Sequence, residues 1–330
     1  MAKILEVENL TTYFHTFKGV VKAVDHISFS MEEGEILGVV GESGGGKSVT
    51  GFSIIGLVDE PGEVKADKIF FSGMDLTKKT ENEMNRIRGD QVTMVFQDPM
   101  TSLNPVYTIE RQIAEVLKLH QHGITKAQCR QRCIELLKEV GIPNAEERLK
   151  CYPHQFSGGM RQRVVIAIAL AGNPKLIIAD EPTTALDVTI QAQVLMLMKR
   201  LVAEKGCALM LITHDLAVVS EVTHRVNVMY CGHIVEAAPT RQLIEHPLHP
   251  YTVGLLASIP SNTTIKQDEH LEIIPGMVPN MFDLPKGCKF APRCSKCMDI
   301  CMEVEPEMIT VEPGRQVACH LYAKDKEGAL

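Results

Sequence analysis

The chain has 330 residues, of which 45% are hydrophobic and 23% are charged, and its formal net charge is −7. This length allows a full core and more than one domain, and the composition is that of an ordinary globular protein. No apolar run approaches the ~18 residues of a membrane span, no signal-peptide pattern opens the chain, and no long basic block indicates a nucleic-acid binder. We therefore expect a cytoplasmic protein whose main partner is not DNA or RNA.

The order of apolar runs along the chain predicts alternating strands and helices. Strands are expected near residues 4–9, 23–30, 35–40, 68–71 and 91–96. Residues 108–120 and 126–140 show helical spacing instead, which predicts a helical subdomain inserted at about residues 100–170. Strands are expected again at 176–179 and 208–212, with a helix between them. From about residue 240 the alternation stops and a loop-rich tail is expected.

Residues 41–48 read GESGGGKS and fit G-x-x-x-x-G-K-[ST], the phosphate-binding P-loop. The glycines let the backbone form a nest whose N–H groups point at one anion, and the helix predicted to follow adds its N-terminal dipole. Lys47 can reach the β- and γ-phosphates, and the Ser48 hydroxyl can bind Mg²⁺. The residues expected to bind nucleotide here are Gly41, Ser43, Gly44, Gly45, Gly46, Lys47, Ser48 and Val49.

The strand predicted at residues 176–179 leads into two carboxylates. Asp180 at its end can hold Mg²⁺, directly or through water, and Glu181 can polarise the water that attacks the γ-phosphate. An acid at a strand end is a weak signal alone, but a P-loop upstream favours phosphate chemistry over a structural role.

Residues 156–162 read FSGGMRQ and precede a predicted helix, so Ser157, Gly158 and Gly159 form a second nest for an anion. Together with the P-loop, this segment resembles the signature motif of ABC ATPases. The chain departs from common family patterns at Met160 and Gly45. Since backbone N–H groups do most of the phosphate binding at both places, we expect activity to survive.

Three further residues match the family in order. Gln97 resembles the Q-loop glutamine, Asp187 the D-loop aspartate and His214 the switch histidine, so the likeness spans about residues 1–240. It implies that Glu181 is the general base, that Lys47 and His214 contact the γ-phosphate, and that Gln97 links metal and water to the transport machinery. The Mg²⁺ ligands that it implies are Ser48, Gln97 and Asp180.

The resemblance also implies a head-to-tail dimer. ATP then lies between the P-loop of one copy and Ser157, Gly158 and Gly159 of the other, and Asp187 communicates across the dimer. In this family an aromatic ring near the N-terminus stacks on adenine. Tyr13 and Phe14 both stand there, and counting from the first strand favours Phe14, although either ring can instead pack in the core.

The tail and the segment after Gln97 resemble one branch of the family. Residues 98–105 (DPMTSLNP), 156–163 (FSGGMRQR), 249–251 (HPY) and 287–294 (GCKFAPRC) are similar to the ATP-binding subunits of bacterial dipeptide and oligopeptide importers, a group that includes nickel importers. With the tail included, the likeness covers essentially the whole chain.

The tail also holds a group of cysteines. Four thiolates suit an iron–sulfur cluster or tetrahedral zinc. The resemblance implies a [4Fe–4S] cluster held by Cys288, Cys294, Cys301 and Cys319. Cys297 departs from the family spacing, forms a C-x₂-C pair with Cys294 of the kind that zinc sites use, and competes as a ligand. Zinc, free thiols and disulfides stay open here, with disulfides least favoured in a reducing cytoplasm.

Together these features predict an α/β fold, a P-loop NTPase of ABC ATPase type with an antiparallel β portion, a helical subdomain and a small C-terminal metal-binding domain. The expected domains are residues 1–240 and 241–330. The expected activity is Mg²⁺-dependent ATP hydrolysis that powers import of dipeptides and oligopeptides. Alternatives are an importer of nickel or another small solute, and a non-transport ABC ATPase acting on DNA or ribosomes.

The expected partners are integral-membrane permease subunits, a second ABC ATPase that is a homologue or a second copy, and indirectly an extracellular peptide-binding protein. Residues from about 100 to 150 and the segment after Gln97 are the expected docking surface. The protein is expected to lie peripherally on the cytoplasmic face of the membrane.

Overall fold

The computed structural model describes residues 2–121, 123–184, 186–258 and 273–326. The chain forms two compact units, each assembled from separated segments. The first contains Met1–Glu6, Ser30–Ile36 and Phe70–Ile212, and the second contains Val7–Phe29, Leu37–Ile69 and Thr213–Leu330. The boundary expected near residue 240 stays a prediction.

The strands are β1 (Lys3–Thr16), β2 (Gly19–Glu32), β3 (Ile36–Val40), β4 (Gly62–Lys65), β5 (Lys68–Phe71), β6 (Met74–Asp75), β7 (Val92–Val95), β8 (Leu176–Asp180), β9 (Ala208–Thr213), β10 (Arg225–Tyr230), β11 (His233–Pro239), β12 (Ile309–Glu312) and β13 (Arg315–Val317). The α-helices are α1 (Lys47–Ile54), α2 (Glu81–Ile87), α3 (Pro99–Ser102), α4 (Ile109–His120), α5 (Lys126–Glu139), α6 (Ala145–Arg148), α7 (Gly158–Leu170), α8 (Val188–Lys205), α9 (Leu216–Val222), α10 (Thr240–Glu245), α11 (Pro250–Ala257) and α12 (Asp299–Glu303).

In the first unit, β7, β8 and β9 form a parallel sheet. Leu176 of β8 lies opposite Val92 on one side and Ala208 on the other. Every residue of β8 is buried, as expected of a parallel strand covered on both faces. Because the three strands are parallel, Asp180 at the carboxyl end of β8 lies at the same edge of the sheet as the carboxyl ends of β7 and β9.

The helices of the predicted subdomain also lie in the first unit. α4 and α5 bury apolar residues at helical spacing, among them Ile113, Leu117 and Cys133. Thr108 and Thr125 cap these helices, since their hydroxyls accept hydrogen bonds from backbone N–H groups of the first turn. The periodic pattern and the caps therefore explain why the sequence predicted both helices correctly.

In the second unit, β3 pairs in parallel with β10, and β10 forms an antiparallel hairpin with β11. The sequence analysis missed this hairpin. Its two-residue turn is Cys231-Gly232, with φ of 45° and 84°. Such a turn needs positive φ at both positions, a conformation that cysteine rarely adopts, so the usual Asn-Gly signal is absent.

The tail contributes two short strands to a sheet. β13 pairs with β11, and β12 pairs with β13, so tail residues extend the sheet of the second unit. The expectation of a loop-rich tail did not include these strands. The two strands have 4 and 3 residues, too short for a period-2 pattern to identify them.

The antiparallel β portion is confirmed. In the second unit, β4 pairs with β1, and Thr11 lies opposite Lys65. In the first unit, β6 pairs with the end of β5. In the part of the chain that the structure describes, no helix combines the length and apolarity needed to cross a bilayer.

Candidate functional site

The predicted P-loop connects β3 to α1. All five residues of β3 are buried, and α1 begins at Lys47 directly after the loop. Gly44 and Gly46 adopt φ of 78° and 93°, in the left-handed region. Left-handed residues just before a helix N-terminus are typical of an anion nest, in which backbone N–H groups turn toward one anion.

Gly46 is required by both its conformation and its surroundings. A Cβ at this position would lie 2.2 Å from the carbonyl oxygen of Ala23, which is backbone and cannot rotate away. A Cβ at Gly45 would lie 3.0 Å from the carbonyl oxygen of Glu42, and Gly45 has no positive φ. The structure thus gives a physical reason why the motif requires glycine at position 46 and not at position 45.

We expect Gly46→Ala to lower the free energy of unfolding by at least about 2 kcal/mol, because it adds left-handed strain to a clash with backbone. ATP affinity should fall with it, since the nest loses its shape. Gly45→Ala is the matched control and should affect both quantities less. Denaturant unfolding and calorimetric ATP titration of the two variants test this, and equal effects would contradict it.

The Lys47 side chain is held inside the loop. Its ammonium group donates to the carbonyl oxygens of Gly41 and Glu42, both at 2.9 Å, and the residue is 5% exposed. Ser48 and Val49 at the start of α1 are half-buried, and Ser43 is exposed. The loop therefore holds a buried cation whose charge can form charge-assisted hydrogen bonds to phosphate.

The carboxyl end of β8 brings Gln97 and Glu181 together. Gln97 Nε2 donates to Glu181 Oε2 at 2.9 Å, and the Thr184 hydroxyl donates to the same oxygen at 2.9 Å. Glu181 has φ of 43°, and its N–H donates to the carbonyl oxygen of Ile212. Asp180, one residue earlier, is 5% exposed. The sequence analysis missed Thr184, whose signal was a hydroxyl three residues after the acid.

The predicted signature segment opens α7. Ser157 is the N-cap, and its hydroxyl accepts a hydrogen bond from the N–H of Met160 at 3.4 Å. Ser157 and Gly158 are exposed at the start of the helix. A Cβ at Gly159 would lie 2.5 Å from Ile190 of α8, so this glycine also allows close helix packing.

Asp187 and His214 both precede helices. Asp187 is the exposed N-cap residue of α8; its neighbour Ala185, part of the predicted D-loop, lies outside the described residues. His214 is exposed and directly follows β9, and it belongs to the second unit. Asp215 caps α9 through hydrogen bonds from the N–H groups of Ala217 and Val218.

The two candidate aromatic residues on β1 have different neighbours. The Tyr13 hydroxyl donates to Asp25, and the Lys22 ammonium lies 5.2 Å from the Tyr13 ring centroid. Burial alone would raise the pKa of Asp25, but hydrogen bonds from Tyr13 and Lys22 hold it below its ordinary value. Phe14 lies beside Gly62 of β4, its register partner. The sequence analysis did not identify Asp25.

The predicted metal ligands share one cavity in the second unit. Cys288, Cys294, Cys301 and Cys319 all line it, whereas Cys297 is exposed and does not. Burial and the neighbouring thiols raise the pKa of Cys288 to about 11. Within the described residues, however, no three His, Cys, Asp or Glu side chains are placed so that they could hold a metal ion. The expected metal-binding domain is therefore not confirmed.

Residues 24–184 match the ABC transporter family, and residues 235–301 match the oligopeptide/dipeptide transporter C-terminal region. The solved dimeric structure of the ATP-binding cassette MJ0796, in a post-hydrolysis state bound to ADP and Pi, is similar to this chain. It is 27% identical with a TM-score of 0.64, over 72% of this chain and 99% of that one.

Curated relatives match along nearly the full length. The chain is 54% identical over 330 residues to the oligopeptide transport ATP-binding protein AppD of Bacillus subtilis, covering 100% of this chain and 99% of that protein. It is 49% identical over 325 residues to the dipeptide transport ATP-binding protein DppD of Escherichia coli, covering 98% of each. The chain therefore belongs to the family of ATP-binding subunits of oligopeptide and dipeptide ABC transporters.

Proposed function

We propose that this chain hydrolyses ATP and thereby powers import of dipeptides and oligopeptides through a separate membrane permease. The observation that carries the hydrolytic part is the hydrogen bond from Gln97 to Glu181, which orients a carboxylate at the end of a buried strand. The names of the relatives, which are oligopeptide and dipeptide transport proteins, support the cargo.

In the proposed reaction, the P-loop N–H groups and Lys47 bind the triphosphate, and the His214 side chain contacts the γ-phosphate. Glu181 takes a proton from a water molecule while the water oxygen attacks the γ-phosphorus and the bond to ADP breaks. Gln97 and Thr184 donate to Glu181 and so hold its carboxylate in one orientation.

Ser48, Gln97 and Asp180 are the proposed ligands of Mg²⁺, which neutralises phosphate charge when bound. Hydroxyl, amide and carboxylate oxygens are donors that suit this ion. Phe14 is the proposed adenine platform. Tyr13 fits this role less well, because its hydroxyl and ring already contact Asp25 and Lys22.

We also propose that two ATPase subunits close head to tail over ATP. Ser157, Gly158 and Gly159 of one subunit would then cover the nucleotide held by the other, with Asp187 at the contact. The exposure of Ser157 and Gly158 at the start of α7 supports this, since a helix N-terminus can bind an anion. The second subunit is either a homologue or a second copy.

The proposed permease contact is the segment that follows Gln97, together with the helices up to about residue 150. Met100 and Val106 in this segment are apolar and are 60% and 71% exposed, so both side chains are available to pack against a partner. Contact with a permease would place the protein peripherally on the cytoplasmic face of the membrane, with an extracellular peptide-binding protein as an indirect partner.

Uptake into proteoliposomes that contain the permease and this subunit tests the proposal. Labelled dipeptide should accumulate with ATP and not without it, and the subunit should co-purify with permease rather than with nucleic acid. Uptake of nickel instead of dipeptide would leave the ATPase assignment intact but would overturn the proposed peptide cargo. Co-purification with nucleic acid alone would overturn the transport proposal.

We propose further that the four cavity-lining cysteines hold a [4Fe–4S] cluster. All four donors are thiols, which suit iron–sulfur clusters and zinc. The cavity that the four thiols share supports the cluster, and zinc is the alternative metal.

Cys294→Ser is expected to remove the visible absorption of anaerobically purified protein and most of its bound iron, because a thiolate ligand is lost. Cys297→Ser is the matched control: its side chain is exposed and lies outside the cavity, so absorption and iron content should be retained. Metal analysis of both variants shows which of the two cysteines binds iron, and loss of iron in Cys297→Ser would contradict the assigned ligand set. Zinc without iron in the native protein would favour the alternative metal.

A further inference from the structure

The C-terminal segment of the chain contacts the P-loop directly. Arg293 lies at the end of a short 3₁₀ turn, Ala291–Arg293, and its guanidinium forms a two-pronged ion pair with Glu42, the second residue of the P-loop motif. The Nη1···Oε2 and Nη2···Oε1 distances are 2.7 and 3.0 Å. Paired parallel bonds of this kind restrain both position and orientation.

The guanidinium is itself held from other sides. Arg293 Nε donates to the carbonyl oxygen of Pro275 at 3.1 Å, and Nη1 donates to the Tyr230 hydroxyl at 3.2 Å. The Arg293 side chain is 5% exposed, against 29% for Glu42. Because the side chain is buried and all three of its nitrogens are hydrogen-bonded, Arg293 has little rotamer freedom. It therefore holds the Glu42 carboxylate, and with it the start of the P-loop, in one position.

A second contact holds the backbone of the same P-loop residue. The N–H of Glu42 donates to the Tyr251 hydroxyl at 2.8 Å, and Tyr251 is fully buried in α11. The rings of Tyr251, Tyr230 and Phe290 pack together, with centroids 4.6 to 5.4 Å apart. Both contacts to Glu42 therefore come from one rigid aromatic cluster.

We infer that Arg293 and Tyr251 are positioning residues for ATP binding, acting on the P-loop through Glu42. Three consecutive glycines give this loop high conformational entropy, and fixing its first part lowers the ordering cost when a triphosphate binds. Arg293 also neutralises a carboxylate that would otherwise stand unpaired in an anion-binding loop. The inference rests on the proposed binding of ATP at this loop.

The test is the Kd for ATP by calorimetry and the KM and kcat of hydrolysis, with iron content and thermal unfolding measured for each variant. Arg293→Met should raise the Kd and KM by about tenfold, with kcat at saturating ATP nearly unchanged. Tyr251→Phe, which removes a single hydroxyl, should raise them by about threefold. Glu42→Gln combined with Arg293→Met should bind ATP better than Arg293→Met alone, because the unpaired carboxylate is gone.

Arg315→Met is the matched control. Arg315 is also a buried arginine of the C-terminal segment, and its partners are the carbonyl of His246 and Glu312, away from the P-loop. It should lower stability without raising the Kd for ATP. The Tyr251→Phe variant keeps the test valid if Arg293→Met fails to fold.

Two results would overturn the inference while the ATP site stands: an unchanged Kd in both Arg293→Met and Tyr251→Phe, or an equal rise in Arg315→Met. Normal ATP binding by Lys47→Ala would instead overturn the P-loop site itself. The two failures are therefore distinguishable.

Discussion

Glu181→Gln is expected to lower kcat for ATP hydrolysis by about 10²- to 10⁴-fold while the Kd for ATP stays unchanged. The amide keeps an oxygen that can accept from Gln97 Nε2 and the Thr184 hydroxyl, so the local geometry should survive. It cannot take a proton from the attacking water. Phosphate release in the steady state and calorimetric ATP titration separate these two effects.

The same variant tests the proposed dimer. Because ATP is bound but not consumed, Glu181→Gln should accumulate as a dimer on size-exclusion chromatography in the presence of ATP and Mg²⁺. Glu33→Gln, an identical change at an exposed residue of the same unit, should behave like the native protein. Undiminished hydrolysis by Glu181→Gln would remove Glu181 from the role of general base.

Lys47→Ala is expected to weaken ATP binding by about tenfold to a hundredfold, because charge-assisted hydrogen bonds to phosphate are lost. The turnover number should fall by about 10²- to 10³-fold as well, since the same cation stabilises charge that develops on the phosphates in the transition state. Titration with ATP and steady-state kinetics measure the two losses.

Lys47→Ala can weaken ATP binding in two ways, by removing the contact to phosphate or by changing the shape of the loop. The second is possible because Lys47 also donates to the loop carbonyls of Gly41 and Glu42. Lys47→Arg keeps the positive charge and should recover part of the ATP affinity. Lys126→Ala, at an exposed lysine of α5, controls for loss of a positive charge elsewhere. Native binding and turnover in Lys47→Ala would exclude a working P-loop at residues 41–48.

The site was predictable wherever chemistry and local structure occupy one short segment. Residues 41–48 carry their glycines, lysine and serine in sequence, and the strand before Asp180 is an unbroken apolar run, so both were identified without coordinates. Ser157 was recognised as a helix cap for the same reason, and the structure confirms that cap. Helix caps and P-loops depend on neighbours within a few residues.

Two residues that bond to proposed site residues were missed. Asp25 accepts a hydrogen bond from Tyr13, which is 12 positions away, and nothing in its own sequence neighbourhood marks it. Thr184 was missed although it lies only 3 positions after Glu181. The hairpin at Cys231-Gly232 and the tail strand β13 were missed as well. Strand pairing and side-chain contacts of this kind depend on which segments meet in the folded chain, and local periodicity carries no such information.

By itself, the sequence determined the family. It also predicted a phosphate-binding loop, an acidic strand end and a group of cysteines, because each depends on residues that lie near one another in the sequence. Only the tertiary structure decided that Gln97 meets Glu181, and that Arg293 meets Glu42 across a separation of 251 positions. The contact between Arg293 and Glu42 is made beside the buried aromatic cluster of Tyr230 and Tyr251, and that burial exists only once the chain has folded.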